Sequence, residues 1–388
     1  MEITSTSFLA IVIAVSVVVL AFSIFAVPHI ISRHPAHWKY VIQTLAIVLT
    51  SLLLFASVAA ILNAQNSWFP SWKSLEGDPA DQNITQQNFG QPTPNLSSST
   101  EHPEAEHPSE LQANPYQNPD FGKNIPQDTS DGAYVTATVA GAKSGETHEV
   151  LLWLPASYFE NPNRFYPVIM GFPGYPGSPQ SYQGDLNFAD LLKDAVAENS
   201  IREAIFVVGN VMPTGHDTEC VDGTQGDNPP KTETYISQDL VAWIKDNLRT
   251  INSPEAWATT GYSAGGWCAS MLAVRHPDIF GAAMNQSGYF APVYSDNQQW
   301  NDPQDPRYLL AERVKQDKPD IHIFFYASED DPLSMEGYRT FAHAVSEPTS
   351  LTVNTIPIGG HRAEVWQQGI RLGLQNLGKT LPYFAPVQ

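Results

Sequence analysis

The sequence predicts an α/β fold, a mostly parallel sheet with helices on both faces, preceded by two transmembrane helices. Three observations carry this. From about residue 131, short runs rich in β-branched and aromatic residues alternate with stretches of helical spacing, as in strands joined by crossover helices. Inside that alternation, a strand-like run at Ala256–Thr260 enters Gly261-Tyr262-Ser263-Ala264-Gly265 and leaves it as a helical pattern. And the chain opens with two apolar runs, each about the length that crosses a bilayer as a helix.

The two runs are residues 8–27 and 41–62. The first has no basic residues ahead of it and a second apolar run follows at once, so a retained helix is expected rather than a cleaved leader. Arg33 and Lys39 sit in the loop between them, which places that loop on the cytoplasmic side and both termini outside. Trp68 and Trp72 suit the outer interface. Residues 1–64 are therefore expected to be an anchor in the plasma membrane. Residues 65–130, rich in Pro, Ser, Asn and Gln, are expected to be a disordered tether reaching roughly 40–45 Å, with the folded domain at 131–388 standing off the bilayer. His102 and His107 in that stretch read as solvated side chains.

In the folded part, Ala133–Val139 and His148–Leu154 read as strands, the second stopped by Pro155. Tyr166–Gly171 and Ala204–Asn210 are continuous apolar runs, typical of strands buried on both faces. Phe188–Ala197 and Thr232–Leu248 have helical spacing. Strands at Phe280–Ser287, Ile321–Ala327 and Leu351–Ile358 follow, and a helix at Arg362–Leu377 closes the domain.

A net charge of -20, with 20 Lys and Arg against 40 Asp and Glu, argues against nucleic acid as a partner, since phosphate binding needs clustered basic residues. No C-x-x-C pattern is present, and nothing in the sequence calls for a metal or organic cofactor.

The chemistry lies at the carboxyl ends of the strands, where ligands of such sheets bind. A serine on a sharp strand-to-helix turn is a nucleophile elbow, so Ser263 is the expected nucleophile. A serine hydroxyl needs a base, and His361 follows Gly359-Gly360 on a tight turn after the last strand. The base needs a carboxylate to fix its tautomer. Glu329, Asp330 and Asp331 stand together after the Ile321–Ala327 strand; Asp331, directly before Pro332, is preferred, with Asp330 second. Two backbone N–H groups must receive the oxyanion. Ala264, after the nucleophile, supplies one. Pro173 and Pro176 have no N–H, so the other falls to Gly174 or Tyr175, with Tyr175 preferred.

Gly174-Tyr175-Pro176-Gly177-Ser178, Gly261-Tyr262-Ser263-Ala264-Gly265-Gly266 and Gly359-Gly360-His361 together resemble the esterase D branch of the α/β-hydrolases. That branch includes S-formylglutathione hydrolases and the actinobacterial antigen 85 mycolyltransferases. The resemblance runs from about Val150 to Leu377, and the anchor with an outward domain looks like actinobacterial membrane-bound esterases. It implies an α/β-hydrolase fold, with Ser263 as nucleophile and His361 as base. Its third member is Glu in the mycolyltransferases and commonly Asp in the wider branch, which leaves the acidic triplet open. The full oxyanion-loop signature of the mycolyltransferases is absent.

The expected function is an extracytoplasmic, membrane-anchored serine esterase acting through an acyl-enzyme on esters, cell-envelope lipids among them. The alternatives are an acyltransferase passing the acyl group to a sugar, and an inactive hydrolase-fold domain used for adhesion or as a scaffold. The loop Thr214–Lys231 and the segment Tyr289–Asp320 are expected to wall the pocket, with Tyr289, Phe290, Tyr294 and Trp300 lining an apolar channel or simply packing. Cys220 and Cys268 both fall near the active-site rim on an oxidising side of the membrane, so one disulfide is expected between them. The loop it closes makes this worth about 4 kcal/mol as an upper figure.

Overall fold

The computed structural model describes residues 1–77, 79–91 and 125–386. Two helices open it, α1 (Thr6–Phe25) and α2 (Ala36–Asn66), both long and apolar enough to cross a membrane. They pack antiparallel, and four of their hydroxyls meet between them: Ser16 bonds Ser57 at 2.8 Å and Ser23 bonds Thr50 at 2.9 Å. Polar groups facing a neighbouring helix rather than the surroundings are what an apolar medium demands.

The described residues then form one nine-stranded sheet. Its strands are β1 (Thr85–Gly90), β2 (Ala133–Ala140), β3 (Thr147–Leu154), β4 (Val168–Phe172), β5 (Ile205–Val208), β6 (Trp257–Tyr262), β7 (Ala282–Gln286), β8 (His322–Ser328) and β9 (Ser350–Ile356). The order across the sheet is β1-β9-β8-β7-β6-β4-β5-β3-β2. From β9 to β5 all pairings are parallel, while β3, β2 and β1 run antiparallel to their neighbours. The parallel strands are buried almost throughout because both faces are covered. Helices α3 (Phe188–Ala197) and α8 (Ala363–Thr380) cover one face through Phe188, Leu192, Ile370 and Leu374. Helices α4 (residues 232–247), α5 (Ala264–Arg275), α6 (Leu310–Asp317) and α7 (Pro332–Ala344) cover the other. The middle of α4, Tyr235–Leu240, is wound as a π-helix, a local widening that spacing alone does not announce. Every residue of α5 from Ala264 to Val274 is buried, which explains why its apolar residues run all round the helix.

The tether expectation is corrected in part. Residues 92–124 of it, with His102 and His107, lie outside the described residues. The part before them, apart from residue 78, is built into the folded domain. A five-residue helix, Trp72–Glu76, is capped by Ser71, and β1 adds to the free edge of β9 over six residue pairs, Thr85 opposite Thr355 to Gly90 opposite Ser350. The composition of β1, Thr-Gln-Gln-Asn-Phe-Gly, hides it: an edge strand with exposed side chains needs only backbone partners, and just Phe89 packs on the core. Gly90 ends it at φ +73°, where a Cβ would lie 2.1 Å from the Thr349 carbonyl oxygen. The domain therefore does not stand off α2 on a long leash.

If β1 holds the two parts together, a protease site engineered into residues 92–124 and then cut should leave the fragments co-purifying under native conditions. Their separation on a sizing column would show that the edge pairing does not join them.

Candidate active site

Ser263 sits between β6 and α5 at φ 56° and ψ -125°. A non-glycine residue at positive φ is strained, and strain of this kind persists only where the surroundings fix it. They do so here through backbone approach. A Cβ on Gly261 would lie 1.9 Å from the Gly265 carbonyl oxygen, and one on Gly265 would lie 1.9 Å from that of Phe172. Strand, turn and helix can pass this close only with glycine at both positions. Ser263 N–H donates to the Gln286 carbonyl at 3.0 Å, which continues the β6–β7 ladder up to the turn.

His361 reaches the same point from the β9–α8 loop. Its Nε2 lies 2.9 Å from Ser263 Oγ and its Nδ1 lies 2.7 Å from Asp331 Oδ2. Asp331 is wholly buried at the start of α7; it also accepts from Ser334 Oγ and caps the helix through Ser334 N–H. The three acids left open by the sequence thus part ways. Asp331 meets the imidazole. Asp330 Oδ1 accepts the backbone N–H groups of Gly359 and Gly360 at 3.0 and 2.9 Å. Glu329 is on the surface and accepts from Thr355 Oγ1 at 3.0 Å. Ser334 was not among the sequence candidates; a serine three residues past a helix-capping Asp is the signal that points to it.

Ala264 is the first residue of α5, where no carbonyl one turn back is available to its N–H. The loop after β4 crosses beside the serine: a Cβ on Gly174 would lie 2.8 Å from Ser263 Cβ, and Tyr175 is the next residue, half-buried. The arrangement offers a hydroxyl, an imidazole to take its proton, a carboxylate to hold the imidazole, and a helix start and loop for negative charge.

Supports surround this line. Cys220 and Cys268 are joined by a disulfide, with Cα atoms 5.6 Å apart, tying the loop after β5 to α5. Beside it, Glu219 Oε1 accepts from Tyr289 Oη and from the N–H groups of Val293 and Tyr294 at 2.8, 2.8 and 2.5 Å. Burial, helped by the charge of Asp217, pushes the Glu219 carboxyl well above its usual range. Tyr289, Phe290, Tyr294 and Trp300 are all buried in the core, so the aromatic residues pack rather than form the channel considered for them. Trp300 Nε1 donates to the Asp217 carbonyl, and Phe290 stacks on Phe341 at 4.2 Å. At the far end of α5, Glu233 accepts from Arg275 Nε at 2.6 Å, bonds His276 Nε2 at 2.9 Å and accepts from Tyr308 Oη at 2.7 Å. Burial alone would raise this carboxyl; the bonds from His276 and Arg275 and the guanidinium charge outweigh it and pull it down to about 2.

The sequence profile of the Esterase family matches residues 142–371. An uncharacterized protein of Corynebacterium glutamicum is 24% identical over 264 residues, covering 62% of this chain and 60% of its own length. The MPT51 antigen of Mycobacterium leprae is 32% identical over 82 residues, 21% of this chain and 27% of its own length. The chain thus spans less than two thirds of either relative. Among solved structures, an S-formylglutathione hydrolase from Agrobacterium tumefaciens superposes with TM-score 0.55 at 14% identity, over 66% of this chain and 98% of its own. A ferulic acid esterase superposes with TM-score 0.54 at 21% identity, over 65% and 99%. These neighbours share the α/β-hydrolase fold, and the chain falls in the esterase D and antigen 85-like branch of it.

Two outcomes follow from the geometry. Asp331→Asn should lower ester turnover by about 10⁴-fold, the scale seen when a triad carboxylate is neutralised, while Asp330→Asn, which keeps an acceptor oxygen for the two glycine amides, should cost far less; steady-state kinetics of both decide it. For Glu233, a folded-state value of about 2 lies below its ordinary 4.5, so its stabilisation is present above pH 4.5 and lost as pH falls toward 2. Glu233→Gln should therefore cost about 3 kcal/mol at pH 7 in urea unfolding, with the gap to wild type closing on acidification.

Proposed function

We propose that this chain, which belongs to the Esterase family, hydrolyses carboxylic esters through a Ser263–His361–Asp331 triad, held outside the cytoplasm by two membrane-spanning helices. The observation that carries this reading is the continuous line from Asp331 Oδ2 through His361 to Ser263 Oγ, at 2.7 and 2.9 Å. Ser263 Oγ attacks the ester carbonyl carbon as its proton passes to His361 Nε2. The carbonyl oxygen becomes an oxyanion received by the N–H groups of Ala264 and Tyr175. The bond to the alcohol oxygen then breaks, His361 returns the proton to that oxygen, and the alcohol leaves an acyl group on Ser263. Water then attacks the acyl carbon as His361 takes its proton, the bond from that carbon to Ser263 Oγ breaks, His361 returns the proton to Oγ, and the free acid departs. A sugar hydroxyl in place of water would make the second half an acyl transfer.

The membrane reading is supported by the length and apolarity of α1 and α2, and by Arg33 and Lys39 between them. The Cys220–Cys268 disulfide fits an oxidising compartment. Esters of cell-envelope lipids are the substrates such an anchor would favour.

The full-length protein in detergent should take a fluorophosphonate label on Ser263 and hydrolyse a chain-length series of p-nitrophenyl esters. Ser263→Ala and His361→Ala should each lose several orders of magnitude, and the double variant little more, because these residues act as a unit. Trehalose in the same assay separates the two acceptors: acylated sugar marks a transferase, free acid alone an esterase. A wild type that neither takes the label nor turns over ester would leave an inactive scaffold.

A further inference from the structure

We infer that the membrane-proximal segment, residues 67–77 and 79–82, is a working part of the active site: it positions His361. Four consecutive amides lead into that histidine, and each donates outside its own loop. Ile358 N–H donates to Gln82 Oε1 at 2.9 Å, Gly359 and Gly360 N–H to Asp330 Oδ1, and His361 N–H to the Ser67 carbonyl at 3.1 Å. The first and last of these acceptors come from the segment between α2 and β1. Gln82 Nε2 also donates to the Ile358 carbonyl, so its carboxamide pairs with that residue as a neighbouring strand would. Arg362, the next residue, donates from Nη2 to the Gly77 carbonyl at 3.1 Å and lies over the Phe69 ring at 4.9 Å. Gly360 is at φ +70°, where a Cβ would lie 2.1 Å from the Trp68 carbonyl oxygen. The loop thus meets this segment at Ile358, Gly360, His361 and Arg362.

Ser67 is the C-cap of α2, with its N–H on the Asn63 carbonyl at 2.8 Å. No slack separates the helix end from the backbone of His361. Residues 67–77 and 79–82 lie outside the span, 142–371, matched by the Esterase family. A hydrogen bond of 2.9 Å between His361 Nε2 and Ser263 Oγ tolerates little drift, and misplacement by about 1 Å costs roughly 100-fold in rate. The inference rests on the reading of Ser263 and His361 as nucleophile and base. Given the membrane reading too, it fixes the site at the level of the helix end, where an ester lying in the bilayer surface meets it.

The test uses the full-length protein in vesicles and a soluble p-nitrophenyl ester. Gln82→Ala should lower kcat by roughly 10- to 100-fold with KM little changed, and slow fluorophosphonate labelling of Ser263 in proportion. Gln82→Glu, which keeps the acceptor for Ile358 N–H, should recover part of the loss. Gln87→Ala, on the exposed face of β1, should match wild type. An active, labelled wild type equalled by Gln82→Ala overturns the inference alone. So does a fall in kcat that tracks the folded fraction, with Gln82→Glu no better than Gln82→Ala. A wild type that neither labels nor turns over ester overturns the triad reading along with it.

Discussion

Two hydrogen bonds, Asp331 to His361 and His361 to Ser263, set the demand that the rest of this fold meets. Their three residues come from three separate strand ends, after β8, β9 and β6, and each must arrive within a few tenths of an ångström. A parallel sheet solves most of this. It brings the carboxyl ends of its strands to one edge, and burial on both faces makes that edge rigid. What remains is local: a strained turn for the serine, a capped helix start for the aspartate, and a loop for the histidine that cannot drift.

The three local solutions differ in kind. For Ser263 it is steric, since strand and helix touch through glycines and leave the turn no room to relax. For Asp331 it is a helix cap, in which Ser334 takes up the carboxylate's remaining capacity and burial is complete. For His361 it is a row of backbone amides satisfied from outside the loop. Asp330 supplies half of that row. An acid that looked like a spare candidate for the triad is thereby accounted for: a carboxylate accepting two adjacent N–H groups holds a turn, while its neighbour faces the imidazole.

Away from the reacting atoms, the structure anchors the nucleophile helix at both ends. The disulfide and the buried Glu219 hold the loop beside its first turns, and Glu233 binds Arg275 and His276 at its last. The two carboxylates show how partners decide charge. Glu219 is fully buried without a cation and is driven toward its neutral form, whereas Glu233 has a guanidinium at 2.6 Å and stays ionised. The aromatic residues near Glu219 belong to this framework, which is why Tyr289 and Trp300 spend their polar atoms on it and do not face a channel.

The sequence alone determined the fold class, the strands from Ala133 onward, and the residues now seen together at Ser263 and His361. It could do so because these features are local: a glycine-spaced serine between a strand and a helix, and a histidine after two glycines. It also determined the pair Cys220 and Cys268, because both positions fall at the same sheet edge. Only the tertiary structure decided among Glu329, Asp330 and Asp331, since neighbours in sequence on a turn point in different directions and their partners lie far along the chain. Only it revealed that residues 67–77 and 79–90 belong to the hydrolase domain. That stretch is held by backbone pairing and by side chains such as Gln82, and backbone hydrogen bonds leave no mark in composition or periodicity.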